Sequence, residues 1–253
     1  NILSIVIGQI GVIDESTGVI SYAAGSTIWE SQPLRLILRD YFECEVIVKN
    51  DINLSTIGEQ RQGVAINKKN FIYFRFDVGA KTGIVINNVL YEGANGAAGE
   101  IGFSLLPVNH GKYRLDRLEN WTTLDFLQKK IKKSRNQIKK PELRKLLSES
   151  FDDFYKELSA YYLTDKVVHQ ILTDFLIQLG NLITNVVSVV DIPFIVLGGK
   201  IVDLGDKFLN DLQKYVNEKC FFVPEIKYSK LGEKSGLIGA TFVGLETLQK
   251  FIY

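Results

Sequence analysis

The sequence predicts an α/β fold, and three observations carry that prediction. Short β-branched runs alternate along the chain with segments whose apolar residues keep helical spacing. Glycines stand where such segments end, as at Gly8, Gly63 and Gly198-Gly199. One segment, Asp165 to Val187, holds Val168, Ile171, Leu172, Phe175, Leu179, Leu182, Ile183 and Val186 on one helical face over many turns.

The elements follow in order. Ile2 to Gly8 is a buried strand and turn, and Asp14 to Gly18 has turn chemistry. A helix begins at Ser31-Gln32-Pro33, with proline in the tolerated first turn and Leu34, Ile37, Leu38 and Phe42 on one face. Cys44 to Val48 reads as a strand that runs into Asn50-Asp51. Asp51 to Gly63 is a helix closed by glycine. Phe71 to Phe76 and Thr82 to Val89 form two strands around a loop, followed by a glycine-rich stretch, Gly93 to Gly102. Helices dominate from Thr122 onward. Phe194 to Leu197 is a strand ending in Gly198-Gly199, and Asp206 to Asn217 and Gly236 to Phe251 are the closing helices.

Composition narrows the function. With 253 residues the chain can bury a substantial core, and 46% apolar with 23% charged residues is ordinary for a globular protein. A formal net charge of +1 gives no global reason for nucleic acid as a partner. Cys44 and Cys220 form neither a CxxC pair nor a disulfide framework, so a cytoplasmic location is expected. The apolar stretch Leu182 to Leu197 is interrupted by Asn185, Asp191 and Pro193, so no membrane span is expected. The basic residues between Lys129 and Lys145 are read as a solvated helix face, since Leu124, Leu127 and Ile131 supply a core side; direct DNA contact is the alternative. His169, beside an apolar stripe, is read as structural.

Five segments together carry a family resemblance: Ile7 to Asp14, the Asn50-Asp51 pair, Asn95-Gly-Ala-Ala-Gly-Glu-Ile-Gly102, Leu197-Gly198-Gly199, and Leu231-Gly-Glu with Gly236-Leu-Ile-Gly-Ala240. In this order and spacing the chain resembles the ROK family of repressors, open reading frames and sugar kinases. Among its members it is most similar to the effector domains of xylose- and N-acetylglucosamine-repressor-type regulators. The resemblance implies an actin-like ATPase (sugar kinase) fold with two lobes around a cleft. Residues 1–64 and 240–253 would be the remainder of the small lobe, and 65–239 the large lobe. It also implies that the phosphate loop of the first lobe, and a winged helix-turn-helix, precede this stretch in a longer parent protein.

By the same resemblance, Asn50, Asp51, Glu100 and Glu119 form a sugar cradle, with Phe103 where the family carries a histidine. Carboxylates accept from vicinal hydroxyls and an amide both donates and accepts, so the chemistry suits a monosaccharide. Read alone, the residues equally allow Asp51 as a helix cap and two solvated glutamates. The family's zinc positions carry Phe103, His110, Lys112 and Arg117, which leaves one candidate ligand, and no zinc is expected. The glycine-rich phosphate turn of the family's kinases aligns with Asp77-Val78-Gly79-Ala80-Lys81-Thr82-Gly83. Asp77 places a carboxylate where polyphosphate would approach, Val78 lacks a donor, and Lys81 replaces a glycine. The stretch is also readable as a plain hairpin turn. Gly198 and Gly199 resemble the nucleotide-side turn, or are a tight strand-to-helix connection.

The expectation is therefore a sugar-sensing and oligomerisation domain of a transcriptional regulator, taking xylose, glucose or an amino sugar. It would form a homodimer or tetramer, reach operator DNA through a domain outside this chain, and need no cofactor or catalytic residue. A sugar kinase is the alternative, with Asp51 as general base and ATP with magnesium as cofactors. A dimer scaffold that binds no sugar is a third.

Overall fold

The computed structural model describes residues 2–15, 17–22, 30–77, 79–109, 113–146 and 154–249. By their contacts the residues divide into two units: Asn1–Tyr73, Thr82–Gly99 and Ser229–Tyr253 in the first, Phe74–Lys81 and Glu100–Tyr228 in the second. In chain order the first unit contributes β1 (Ser4–Gln9), β2 (Val12–Asp14), β3 (Val19–Tyr22), α1 (Leu34–Phe42), β4 (Glu45–Asn50) and α2 (Asp51–Gln62). Strands β5 (Phe71–Phe76) and β6 (Ala80–Ile86) each contribute residues to both units, and β7 (Val89–Tyr91) lies in the first. The second unit contains β8 (Leu105–Asn109), β9 (Tyr113–Arg117), α3 (Glu119–Thr122), α4 (Leu124–Lys133), α5 (Pro141–Leu146), α6 (Phe154–Tyr161), α7 (Lys166–Val190), β10 (Phe194–Gly198), α8 (Gly205–Asn217) and β11 (Glu225–Tyr228). Helix α9 (Ser235–Gln249) returns to the first unit.

In the first unit β1 and β4 pair in parallel, from Ser4 opposite Glu45 to Gln9 opposite Asn50. The two-residue period of β4 buries Val46 and Val48, which join Ile13, Ile20 and Leu34 in one cluster. Its other face carries Lys49 toward polar neighbours. The turn expected at Asp14 to Gly18 connects β2 to β3, an antiparallel hairpin, with Gly18 N–H bonded to Asp14 O at 2.7 Å. Helices α2 and α9 approach to backbone contact. A Cβ on Gly239 would lie 1.8 Å from Leu54 O, so only glycine permits the crossing.

In the second unit the strand order is β11-β10-β5, with β10 and β11 parallel and Phe194 opposite Glu225. All five residues of β10 are buried, as expected for a strand covered on both faces. Helix α7 is long and apolar enough by length and composition to cross a membrane. Its Val168, Ile171, Leu172, Phe175, Leu179 and Ile183 are nevertheless buried among the helices of this unit, the signature of a core helix. Asp165 caps it by accepting from Val167 N and Val168 N at 2.9 and 3.1 Å. His169 stacks on Tyr162 at 5.4 Å between ring centroids, and its Nδ1 lies 3.1 Å from Tyr162 O, a structural role. Helix α4 buries Leu124, Leu127 and Ile131, while Lys129 pairs with Asp125 and Lys130 with Asp174, so these lysines form a solvated, acid-partnered face.

Three short pairings were not legible as strands: the β2–β3 hairpin, the β8–β9 hairpin and β11. The basic stretch is also not one helix, because α4 ends at Lys133 and α5 begins at Pro141.

Candidate functional site

The first unit holds a cavity of about 570 Å³ between β2, the start of α2 and the loop after β7, within the size range of small-molecule sites. Its lining is polar: Asp14, Glu15, Ser21, Asn50, Asn53, Glu92 and Asn95 face it, beside the backbone of Gly93 to Ala97.

Asn50 is the N-cap of α2. Its Oδ1 accepts from Ile52 N at 2.9 Å, and its Nδ2 donates to Gly11 O at 2.6 Å, so both ends of the amide are used within the protein. Asn50, and not Asp51, is thus the helix cap. Asp51 is the first residue of α2, where a carboxylate is favoured by the helix dipole.

Beside Asn50, Lys49 extends from β4 with its side chain 14% exposed and ion-pairs with both Glu15 and Glu92. Two carboxylates on one buried ammonium compete for it. Burial, reinforced by the neighbouring Glu92, pushes the Glu15 carboxyl up to about 7. Burial raises Glu92 too, but hydrogen bonds from Glu15 and Lys49 outweigh it and leave Glu92 below the usual range. The two carboxyls titrate as a pair, with Glu15 held above the usual range and Glu92 below it.

The other expected site residues belong to the second unit. Glu100 precedes a single turn of 3₁₀ helix, Ile101–Phe103, and its carbonyl accepts from Phe103 N at 3.2 Å. Glu119 opens α3, pairs with Arg117 at 3.5 Å and lies against Gly102. The Arg117 guanidinium sits 4.6 Å from the centre of the Phe103 ring. Two positions that hold zinc ligands in the resembled pattern are therefore joined here by a cation–π contact. His110 and Lys112 lie outside the described residues, as does Val78.

The sequence singled out Asp77 and Gly198-Gly199 separately, and the structure joins them. Asp77 Oδ1 accepts from Lys200 N at 2.8 Å, and Oδ2 pairs with Arg75 Nε at 2.7 Å. Gly199, at φ +81°, lies so close that a Cβ would sit 2.6 Å from Asp77 Oδ1. A carboxylate thus takes the backbone N–H that opens the 3₁₀ helix Lys200–Leu204. Gly79 faces open space, and Lys81 lies in β6.

Sequence reasoning missed Glu15, Glu92 and Asn53, which line the cavity, and Lys49, which holds the two glutamates from behind it. Their only local signal is adjacency, since Lys49 precedes Asn50-Asp51 and Glu92 precedes the glycine-rich segment.

Comparison with known proteins matches the ROK family model to residues 1–117 and 137–246. The xylose repressor of Caldicellulosiruptor bescii is 26% identical over 259 residues, covering 99% of this chain and 64% of that protein. The glucokinase of Halalkalibacterium halodurans is 27% identical over 252 residues, covering 94% of this chain and 75% of that protein. The chain spans less than two thirds of the length of the xylose repressors it matches. Among solved structures, a ROK family transcriptional regulator homologous to the E. coli MLC protein superposes with a TM-score of 0.83 at 17% identity, covering 96% of this chain and 62% of that one. A ROK family glucokinase from Streptomyces griseus, in complex with glucose and AMPPNP, gives 0.79 at 22%, covering 96% and 81%.

Proposed function

Because the chain belongs to the ROK family, we propose that it is the sugar-sensing effector and oligomerisation domain of a cytoplasmic transcriptional regulator of carbohydrate metabolism, without phosphoryl transfer. Its fold is the α/β, actin-like ATPase fold of the ROK sugar kinases and repressors.

The observation that carries this reading is the Asp77 carboxylate on Lys200 N. Where the resemblance puts the nucleotide's phosphates, the chain has its own fixed anion. A phosphate brought there would meet like charge and would find that N–H already engaged. The repressor relatives support the same reading. Asn50, Asp51, Glu100, Phe103 and Glu119 are the proposed sugar contacts. The effector is xylose, glucose or an amino sugar, and its binding biases two arrangements of attached DNA-binding domains in a dimer or tetramer.

The second reading is a sugar kinase. Asp51 at the head of α2 favours it, because the family's general base occupies the matching position; glucokinase and N-acetylmannosamine kinase relatives favour it too. Calorimetric titration with xylose, glucose, N-acetylglucosamine and magnesium–ATP separates the two. Sugar heat lost in Asp51→Ala, with no heat from ATP, is the expected result. ATP binding with phosphorylated sugar as product would overturn the regulator reading, and silence across the panel would favour the scaffold.

A further inference from the structure

We infer that Asn53 is a ligand-recognition residue: its amide reads the hydroxyls of a neutral polyhydroxyl compound held in the first unit's cavity. The inference rests on the sugar-binding reading and adds a residue and a ligand charge class to it.

Asn53 lies one helical turn beyond Asn50 on α2, so both face the cavity. The two amides differ in what they touch. Asn50 uses its oxygen on Ile52 N and its nitrogen on Gly11 O. Asn53 is only 7% exposed, yet among the described residues its amide has no hydrogen-bond partner. A buried amide without partners costs free energy, and native structures keep such groups for a reason. The amide atoms of Asn53 are not sealed off: Gln178 Oε1 is the fully inaccessible side-chain atom lacking a partner among the described residues. Asn53 is among the residues that line the cavity. One donor group and one acceptor, both free, match a pair of vicinal hydroxyls.

Charge then limits the ligand. The ammonium of Lys49 is held by Glu15 and Glu92. Among the described residues lining the cavity there is no lysine or arginine, while Asp14, Glu15 and Glu92 are there. A phosphorylated sugar would find no free cation in the lining. A neutral polyol would find the Asn53 amide, with Glu92 as an acceptor oriented by Lys49.

The test is calorimetry of the chain with D-xylose, D-glucose and D-glucose 6-phosphate, repeated on Asn53→Leu, with thermal melting of both proteins without sugar. Leucine keeps the volume and removes the hydrogen-bonding groups. The expected result is a neutral sugar binding about tenfold more weakly to Asn53→Leu, the 6-phosphate binding more weakly than glucose to the parent, and a melting temperature that does not fall. Unchanged sugar affinity in Asn53→Leu would overturn the inference while leaving the sugar-sensing reading standing. So would a lower melting temperature in the variant, since it would mean that the amide has a structural partner. A 6-phosphate that binds as well as glucose would overturn the charge argument. No binding of either neutral sugar to the parent would overturn both readings.

Discussion

Replacing Asp77 by alanine should destabilise the protein by a margin that the geometry sets. The side chain makes two contacts: an acceptor bond from Lys200 N at 2.8 Å and an ion pair with Arg75 Nε at 2.7 Å. A hydrogen bond to a charged group contributes about 1.5–3 kcal/mol. The Arg75 and Asp77 side chains are 35% and 28% exposed, so water screens their pair, which adds about 0–1 kcal/mol. The backbone bonds of Asp77, from its N–H to Gly79 O and from Leu124 N to its carbonyl, survive the substitution. The loss is therefore about 1.5–4 kcal/mol, or a melting temperature lower by about 3–16 °C for a chain of this size. Asp77→Asn keeps an oxygen for Lys200 N and should lose about half as much. Because the larger contribution is a backbone bond and not the screened pair, raising salt to about 1 M should change the difference little. Melting followed by circular dichroism, at low and high salt, measures all three proteins. A shift below about 1 °C for Asp77→Ala, or an asparagine variant no better than alanine, would refute the claim that this carboxylate holds the Gly199–Lys200 turn.

Two other perturbations test the first unit. Gly239→Ala puts a Cβ 1.8 Å from Leu54 O, so α9 must move off α2; a loss of about 2–3 kcal/mol in urea unfolding is expected, and near-neutral behaviour would contradict the backbone-contact crossing. The raised pKa of Glu15 makes stability pH-dependent. Its folded pKa, pushed up to about 7 by burial, lies above the ordinary 4.5, so the folded state binds the proton more tightly. That contribution is full below about 4.5 and is lost as pH rises through about 7. Urea midpoints should fall across that window in the parent and stay flatter in Glu15→Gln; equal slopes would count against the raised pKa of Glu15.

The main elements were legible because their signals are local. The helical stripe of α7 and the buried run of β10 declare themselves within a few residues, since the side-chain periods of 3.6 and 2 are built into the backbone. The glycines of the sequence motifs were likewise visible, and the family could be read from their order. The strands of β2–β3, β8–β9 and β11, at three to five residues, are too short for a period to emerge, and pairing partners alone make them strands.

The site divides the same way. Residue types at Asn50, Asp51, Glu100 and Glu119 announced polar chemistry, but nothing in a list of residues says which amide is already used. Asn50 and Asn53 look alike in sequence; one is a helix cap with a protein partner at each end of its amide, and the other is buried with no hydrogen-bond partner among the described residues. Asp77 read as a spoiled phosphate loop, and its actual partner stands 123 residues away at Lys200. The Lys49 network draws Glu15 and Glu92 from separate loops. The sequence by itself determined the main helices, the longer strands and which family the chain belongs to, because those follow from local geometry and ordered motifs. Only the tertiary structure decided which polar groups are spent on the fold and which remain for a ligand, because hydrogen bonds and burial depend on distances that the chain sets only once it has folded.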